Sequence, residues 1–158
     1  MTMDEKRQRR YPNTSTFVYH NANPKKKLTT DCVIRALSTA MEKPYQEVVM
    51  ELAQLQCETG YDDGDPTLYN KYLKKHGWVK CKQPRKWDGT KYTGEEFCLK
   101  LQHPIYCEEL ETLPDNFDWH HIIAHIGGHH IVSIIDGFVH DIWNSTHKCI
   151  GNVWVKEI

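Results

Sequence analysis

The chain has 158 residues, 39% of them hydrophobic and 26% charged, with a formal net charge of −1; that length suits one domain burying roughly two-thirds of its unfolded surface. Balanced charge excludes a globally basic nucleic-acid binder or a protein drawn to anionic lipid by its overall field, and leaves only the local runs Lys6-Arg7-Gln8-Arg9-Arg10 and Lys25-Lys26-Lys27. No apolar run is long enough to span a bilayer, no apolar segment follows the basic start, and the six cysteines contain no C-x-x-C pair, so the chain reads as cytoplasmic, with reduced thiols.

Taken in order, residues 1–13 carry charge and little apolar content and read as a flexible basic arm ahead of a single domain over 14–158. Thr14 to Tyr19 has strand composition, and His20-Asn21-Ala22-Asn23-Pro24 ends it with turn chemistry. A helix is predicted from Cys32 to Met41, with Val33, Leu37, Ala40 and Met41 on one face and Thr30 or Asp31 as N-cap. Helical period resumes after Pro44 and closes at Gly60; Pro66 opens a third helix that stops at Gly77. The turn Asp62-Asp63-Gly64-Asp65 lacks the ligand pattern of a calcium loop and reads as that helix's polar cap. Trp78 to Cys81 reads as a short strand, Thr93 to Leu101 as a short helix, and Glu108 to Glu111 with Pro114 as an exposed acidic insertion.

The last forty residues change character. His121 to Ile126 and His130 to Ile135 are β-branched runs, Asp136-Gly137 is a strong hairpin signal, and Phe138 to Trp143 and Val153 to Val155 continue the pattern. Helices first and an antiparallel sheet last give an α+β order.

Cys32 falls in the first turn of its helix, where backbone N–H groups and the positive end of the helix dipole favour a thiolate. The bases available to it lie about a hundred residues on. Strand alternation puts His130 with Val132 and Ile134, and the tight turn brings Asp141 back almost opposite Ile131 or His130, depending on register. A carboxylate that orients an imidazole beside a thiol is the arrangement a cysteine nucleophile needs. His120, His121, His125, His129 and His130 cluster in sequence, but alternation divides them between faces and neither a cysteine pair nor H-E-x-x-H accompanies them. Neither a metal nor a cofactor is expected.

Asn21-Ala22-Asn23-Pro24-Lys25, Asp31-Cys32, Arg35-Ala36, Tyr72-Leu73-Lys74-Lys75-His76-Gly77, His130, Asp136-Gly137, Asp141 and Trp143 together resemble the papain-like cysteine peptidase superfamily. The resemblance is closest to a group of small phage and prophage proteins and covers about residues 17 to 157. It implies a papain-like fold in which N-terminal helices, the nucleophile starting one of them, pack on a C-terminal antiparallel sheet. Carried onto this chain, it implies Cys32 as nucleophile, His130 as general base and acid, and Asp141 as the orienting acid, with Asn144 as the alternative third member. Choosing His130 over His129 rests on strand phase and motif alignment. Papain-like enzymes carry an oxyanion glutamine six positions before the nucleophile, where this chain has Lys26, so Asn21 and Asn23 are the candidate donors and the choice between them stays open.

The implied activity is cysteine-dependent hydrolysis of a peptide, isopeptide or side-chain amide in a protein or peptide substrate, a host protein among the candidates. Two alternatives accompany it: an inactive papain-like fold that binds a host factor for a phage or mobile element, and thiol acyl transfer or deamidation.

Overall fold

The computed structural model describes residues 1–103 and 110–158. Its elements are α1 (Met3–Arg10), β1 (Phe17–Tyr19), α2 (Cys32–Met41), α3 (Tyr45–Thr59), α4 (Pro66–Lys75), β2 (Val79–Cys81), α5 (Gly94–Gln102), β3 (His121–Ile126), β4 (His130–Ile135), β5 (Phe138–Asp141) and β6 (Ile150–Val155). The α+β architecture follows the sequence reading, and the bounds of α2, β3 and β4 coincide with it. Cys107 and Glu108 lie outside the described residues; the five cysteines among the described residues are free thiols.

The sheet has six strands in the order β1-β5-β4-β3-β6-β2. It is mixed, which corrects the expected antiparallel sheet: β1 lies parallel to β5, with Tyr19 beside Asp141, while the other pairings are antiparallel. The first two strands in the chain, β1 and β2, form its two edges. Layers cover both faces. On one, α2, α3 and α4 bury Val33, Leu37, Val48, Leu52, Leu68 and Leu73 against Ile123, Ile131 and Trp154. On the other, Phe97 and Leu101 of α5 pack with Phe17, Val132, Ile134 and Val139.

Local chemistry accounts for the element ends. Gly60 closes α3 at φ 79°, and Asp65 caps α4 by accepting the Thr67 N–H at 2.8 Å, as the acidic turn implied. Asp136 and Gly137 both take positive φ, 53° and 81°, the backbone of a two-residue type I′ hairpin. The segment read as a flexible arm contains α1, closed by a Thr2–Glu5 capping box. Its Asp4 carboxylate accepts from the Tyr19 hydroxyl at 2.8 Å and the Asn21 amide at 2.9 Å, which ties α1 to β1 and the loop after it. No helix among the described residues is long and apolar enough to cross a membrane.

Candidate active site

α2 begins directly above the start of β4. The N-cap is Asp31, as one of the two alternatives expected, yet its side chain makes no capping bond. Its carboxylate turns inward instead: Oδ1 accepts from Arg35 Nε at 2.8 Å, and Oδ2 accepts from the Tyr45 hydroxyl at 2.6 Å and the Asn23 amide at 3.2 Å. The start of the helix therefore carries no side-chain cap, and its first-turn N–H groups, which have no intrahelical acceptors, belong to the turn that Cys32 begins.

Strand β4 delivers the base. The Cys32 sulfur is hydrogen-bonded to the His130 ring and accepts the backbone N–H of Ile131. His130 Nε2 lies 2.5 Å from Asp141 Oδ2, so its Nδ1 is the nitrogen left for sulfur. The remaining oxygen, Asp141 Oδ1, accepts from Arg35 at 2.6 Å and from the Ile142 N–H at 2.7 Å. Trp143 covers the imidazole, with ring centroids 5.0 Å apart. Asp141 and Arg35 are buried, and the two carboxylates bracket the guanidinium, so the network runs without a break from Tyr45 through Asp31, Arg35, Asp141 and His130 to Cys32.

The hairpin register differs from the expected one. Ser133 pairs with His140 and Ile134 with Val139, so one further step along the ladder sets Asp141 beside Val132 rather than Ile131 or His130. Val132 and His130 share a face, and Asp141 reaches the imidazole along the diagonal between neighbouring strands.

These contacts set the charge states. Burial alone would raise the Cys32 pKa, but the hydrogen bond and charge of His130, the Ile131 N–H and the charge of Arg35 outweigh it and hold the thiol below its ordinary value. Burial would likewise lower His130; hydrogen bonds to Asp141 and Cys32 and their charges raise it to about 9. Asp31 is held below the usual carboxylate range although burial opposes this, because Tyr45, Arg35 and Asn23 all donate to it. Both shifts favour the thiolate–imidazolium form of the pair.

The other expected site residues lie elsewhere in the network or outside it. Asn21 donates its amide to Asp4 and the Lys27 carbonyl, and Asn23 donates to Asp31 and Tyr45; both amides are spent on holding the loop and Asp31, and neither is free to meet an oxyanion. Lys26 folds its ammonium onto the Asn21 carbonyl at 2.7 Å. Asn144 accepts from the Thr146 N–H and hydroxyl, which makes it a turn former, and Asp141 is the carboxylate that meets His130. His129 is exposed. His120 bonds Asp136, His121 bonds Asp118 and Glu42, and His125 bonds Tyr69; among the described residues no group of His, Cys, Asp or Glu is placed to hold a metal ion.

Arg35, which joins Asp31 to Asp141, is the member of this network that the sequence reading did not single out. Its signal was a charged side chain set between Ile34 and Ala36 on a buried helix, four residues after Asp31. Comparison with protein-family models, curated proteins and solved structures returned no match, so the functional reading rests on the geometry of the site itself.

Proposed function

We propose that the chain is a papain-like cysteine hydrolase acting on an amide bond. The observation that carries this reading is the Asp141–His130–Cys32 relay, anchored on a buried Asp141, with the thiol pKa lowered and the imidazole raised to about 9. In the proposed cycle the Cys32 thiolate attacks the carbonyl carbon and forms a C–S bond. His130 gives its proton to the departing amine nitrogen, then takes one from the water that cleaves the thioester. Developing negative charge on the carbonyl oxygen meets the N–H groups of the first turn of α2, since the asparagine amides are engaged elsewhere. Arg35 acts on Asp141 and is a positioning residue.

The test is the pH dependence of iodoacetamide alkylation at each cysteine of the native protein, read by peptide mass spectrometry. Cys32 should label rapidly well below the free-thiol pKa of about 8.5. Buried Cys98, pushed up to about 12 by burial, should stay inert. Slow labelling of Cys32 with an ordinary pKa would overturn the assignment and favour a binding protein.

A further inference from the structure

Helix α1 is joined to the active site through one carboxylate. The helix buries none of its own side chains, only Asp4 and Arg7 on it are half-buried, and among the described residues the hydrogen bonds that tie it to β1 and the following loop all end on Asp4. Asp4 Oδ1 accepts both the Tyr19 hydroxyl at 2.8 Å and the Asn21 amide at 2.9 Å, from residues 8% and 3% exposed. Loss of that oxygen leaves two buried donors short of an acceptor, a cost that the backbone around them lowers by moving to admit water.

Both donors stand close to the carboxylates that bracket Arg35. Tyr19 is the parallel-strand partner of Asp141, and the N–H of His20, next along, donates to the Asp141 carbonyl at 2.9 Å. Asn21 uses its own Oδ1 to accept the Asn23 N–H at 3.1 Å, and Asn23 in turn donates its amide to Asp31 at 3.2 Å. The loop that carries the two asparagines is tightly set. Lys26 takes the left-handed backbone, φ 52°, while its ammonium bonds the Asn21 carbonyl at 2.7 Å and its N–H the Asn23 carbonyl at 2.9 Å. A lysine keeps that backbone only where its surroundings impose it, and backbone of this kind gathers at functional sites.

Resting on the hydrolase reading, we infer that Asp4 is a positioning residue of the active site, and that α1, docked through it, belongs to the catalytic apparatus. Two routes carry the effect. One runs through Asn21 and Asn23 to Asp31; the other runs through Tyr19 and the end of β1 to Asp141. Asp31 and Asp141 together hold the Arg35 guanidinium, and Asp141 holds the His130 imidazole that bonds Cys32. Without Asp4 the loop shifts, Asn23 leaves Asp31, and β1 loosens beside Asp141. The guanidinium and the imidazole then lose fixed partners, and the ion pair with the thiol weakens.

The test is the pH profile of iodoacetamide alkylation at Cys32 in the full chain, with melting curves as the folding control. The variants are Asp4→Ala, Asn23→Ala, the two combined, and Gln8→Ala, which changes an exposed residue of the same helix. Asp4→Ala should slow alkylation below the midpoint about threefold, a rise of about half a pH unit in that midpoint, and Gln8→Ala should leave it unchanged. In the Asn23→Ala background the same Asp4→Ala change should slow it by less, because one of the two routes is already cut. A shifted melting curve with an unmoved profile overturns the positioning role. So do equal slowing in both backgrounds and slowing by Gln8→Ala as large as that by Asp4→Ala. An ordinary Cys32 pKa in the parent chain overturns the hydrolase reading and the role of Asp4 with it; an activated parent thiol that Asp4→Ala leaves unmoved overturns the role of Asp4 alone.

Discussion

Arg35 shows how much of this site is decided by one side chain. It is 6% exposed and is shared between Asp31 and Asp141. Removing it leaves two buried carboxylates uncompensated, so Arg35→Met should cost about 3–5 kcal/mol in urea unfolding and raise the pH at which Cys32 alkylates. Asp141→Asn removes the acceptor that holds up the His130 pKa. The alkaline limb of a pH–rate profile, set by His130 near 9, should move to lower pH, and kcat should fall about 10²-fold or more. Protons are conserved within the pair, and stability reports this. Where Cys32 is already a thiolate and His130 still protonated, the folded chain holds one proton on the imidazole. Between the unfolded histidine and cysteine pKa values, about 6.5 and 8.5, the unfolded chain holds one on the thiol. The parent's urea midpoint should therefore be flat with pH across that window as far as this pair is concerned. Cys32→Ala removes this compensation and also the part of the His130 rise that Cys32 supplies: the stability that Asp141 still gives protonated His130, complete below about 6.5, should be lost as pH rises through what remains of that rise.

Among the elements, the β4–β5 hairpin controls whether acid and base meet, because a slip of one residue would turn Asp141 to the opposite face. Gly137 helps to hold that register. At φ 81° an added methyl is strained, and it would sit 2.5 Å from Gln102 Cγ and 3.2 Å from the Cys98 carbonyl oxygen. Gly137→Ala should cost about 1–2 kcal/mol of stability, read in thermal unfolding. Elements with a strong local signal were legible from the residues: Gly60, Pro66, Thr93 and Asp136-Gly137 mark boundaries that the structure reproduces. Two further ends had weaker signals, since β5 stops at Asp141 rather than Trp143 and β6 begins at Ile150 rather than Val153. Helix α1 buries nothing of its own, so no apolar period announced it. Parallel pairing of β1 with β5 joins residues more than a hundred positions apart and leaves no local trace. Cys32 and His130 could be picked out because each starts an element with a strong signal, and Asp141 because the Asp136-Gly137 turn brings it back towards β4; Arg35 and the spent amides of Asn21 and Asn23 depend on partners that only the tertiary fold supplies.

At the scale of the molecule, the sheet divides two apolar cores, and Cys32 packs against the one under α2, α3 and α4. Leu37 and Leu101 are both fully buried, the first under α2 and the second under α5. Alanine at either should cost about 2–5 kcal/mol. Leu37→Ala should also loosen the seat of α2 and raise the Cys32 pKa, whereas Leu101→Ala should leave the alkylation profile unchanged at the same loss of stability. The split follows from layering, since His130 and Asp141 sit at strand ends where the Cys32 helix meets the sheet. The wide separation of the three residues along the chain also orders events in time. A ribosome releases Cys32 about a hundred residues before His130 and Asp141, at a few to twenty residues per second. Throughout that interval the nascent chain lacks His130 and Ile131, two of the groups that lower the Cys32 pKa. On the hydrolase reading, full activation of the thiol therefore waits until β4 docks beneath α2, and a chain interrupted before that point lacks the Asp141–His130 pair that completes it.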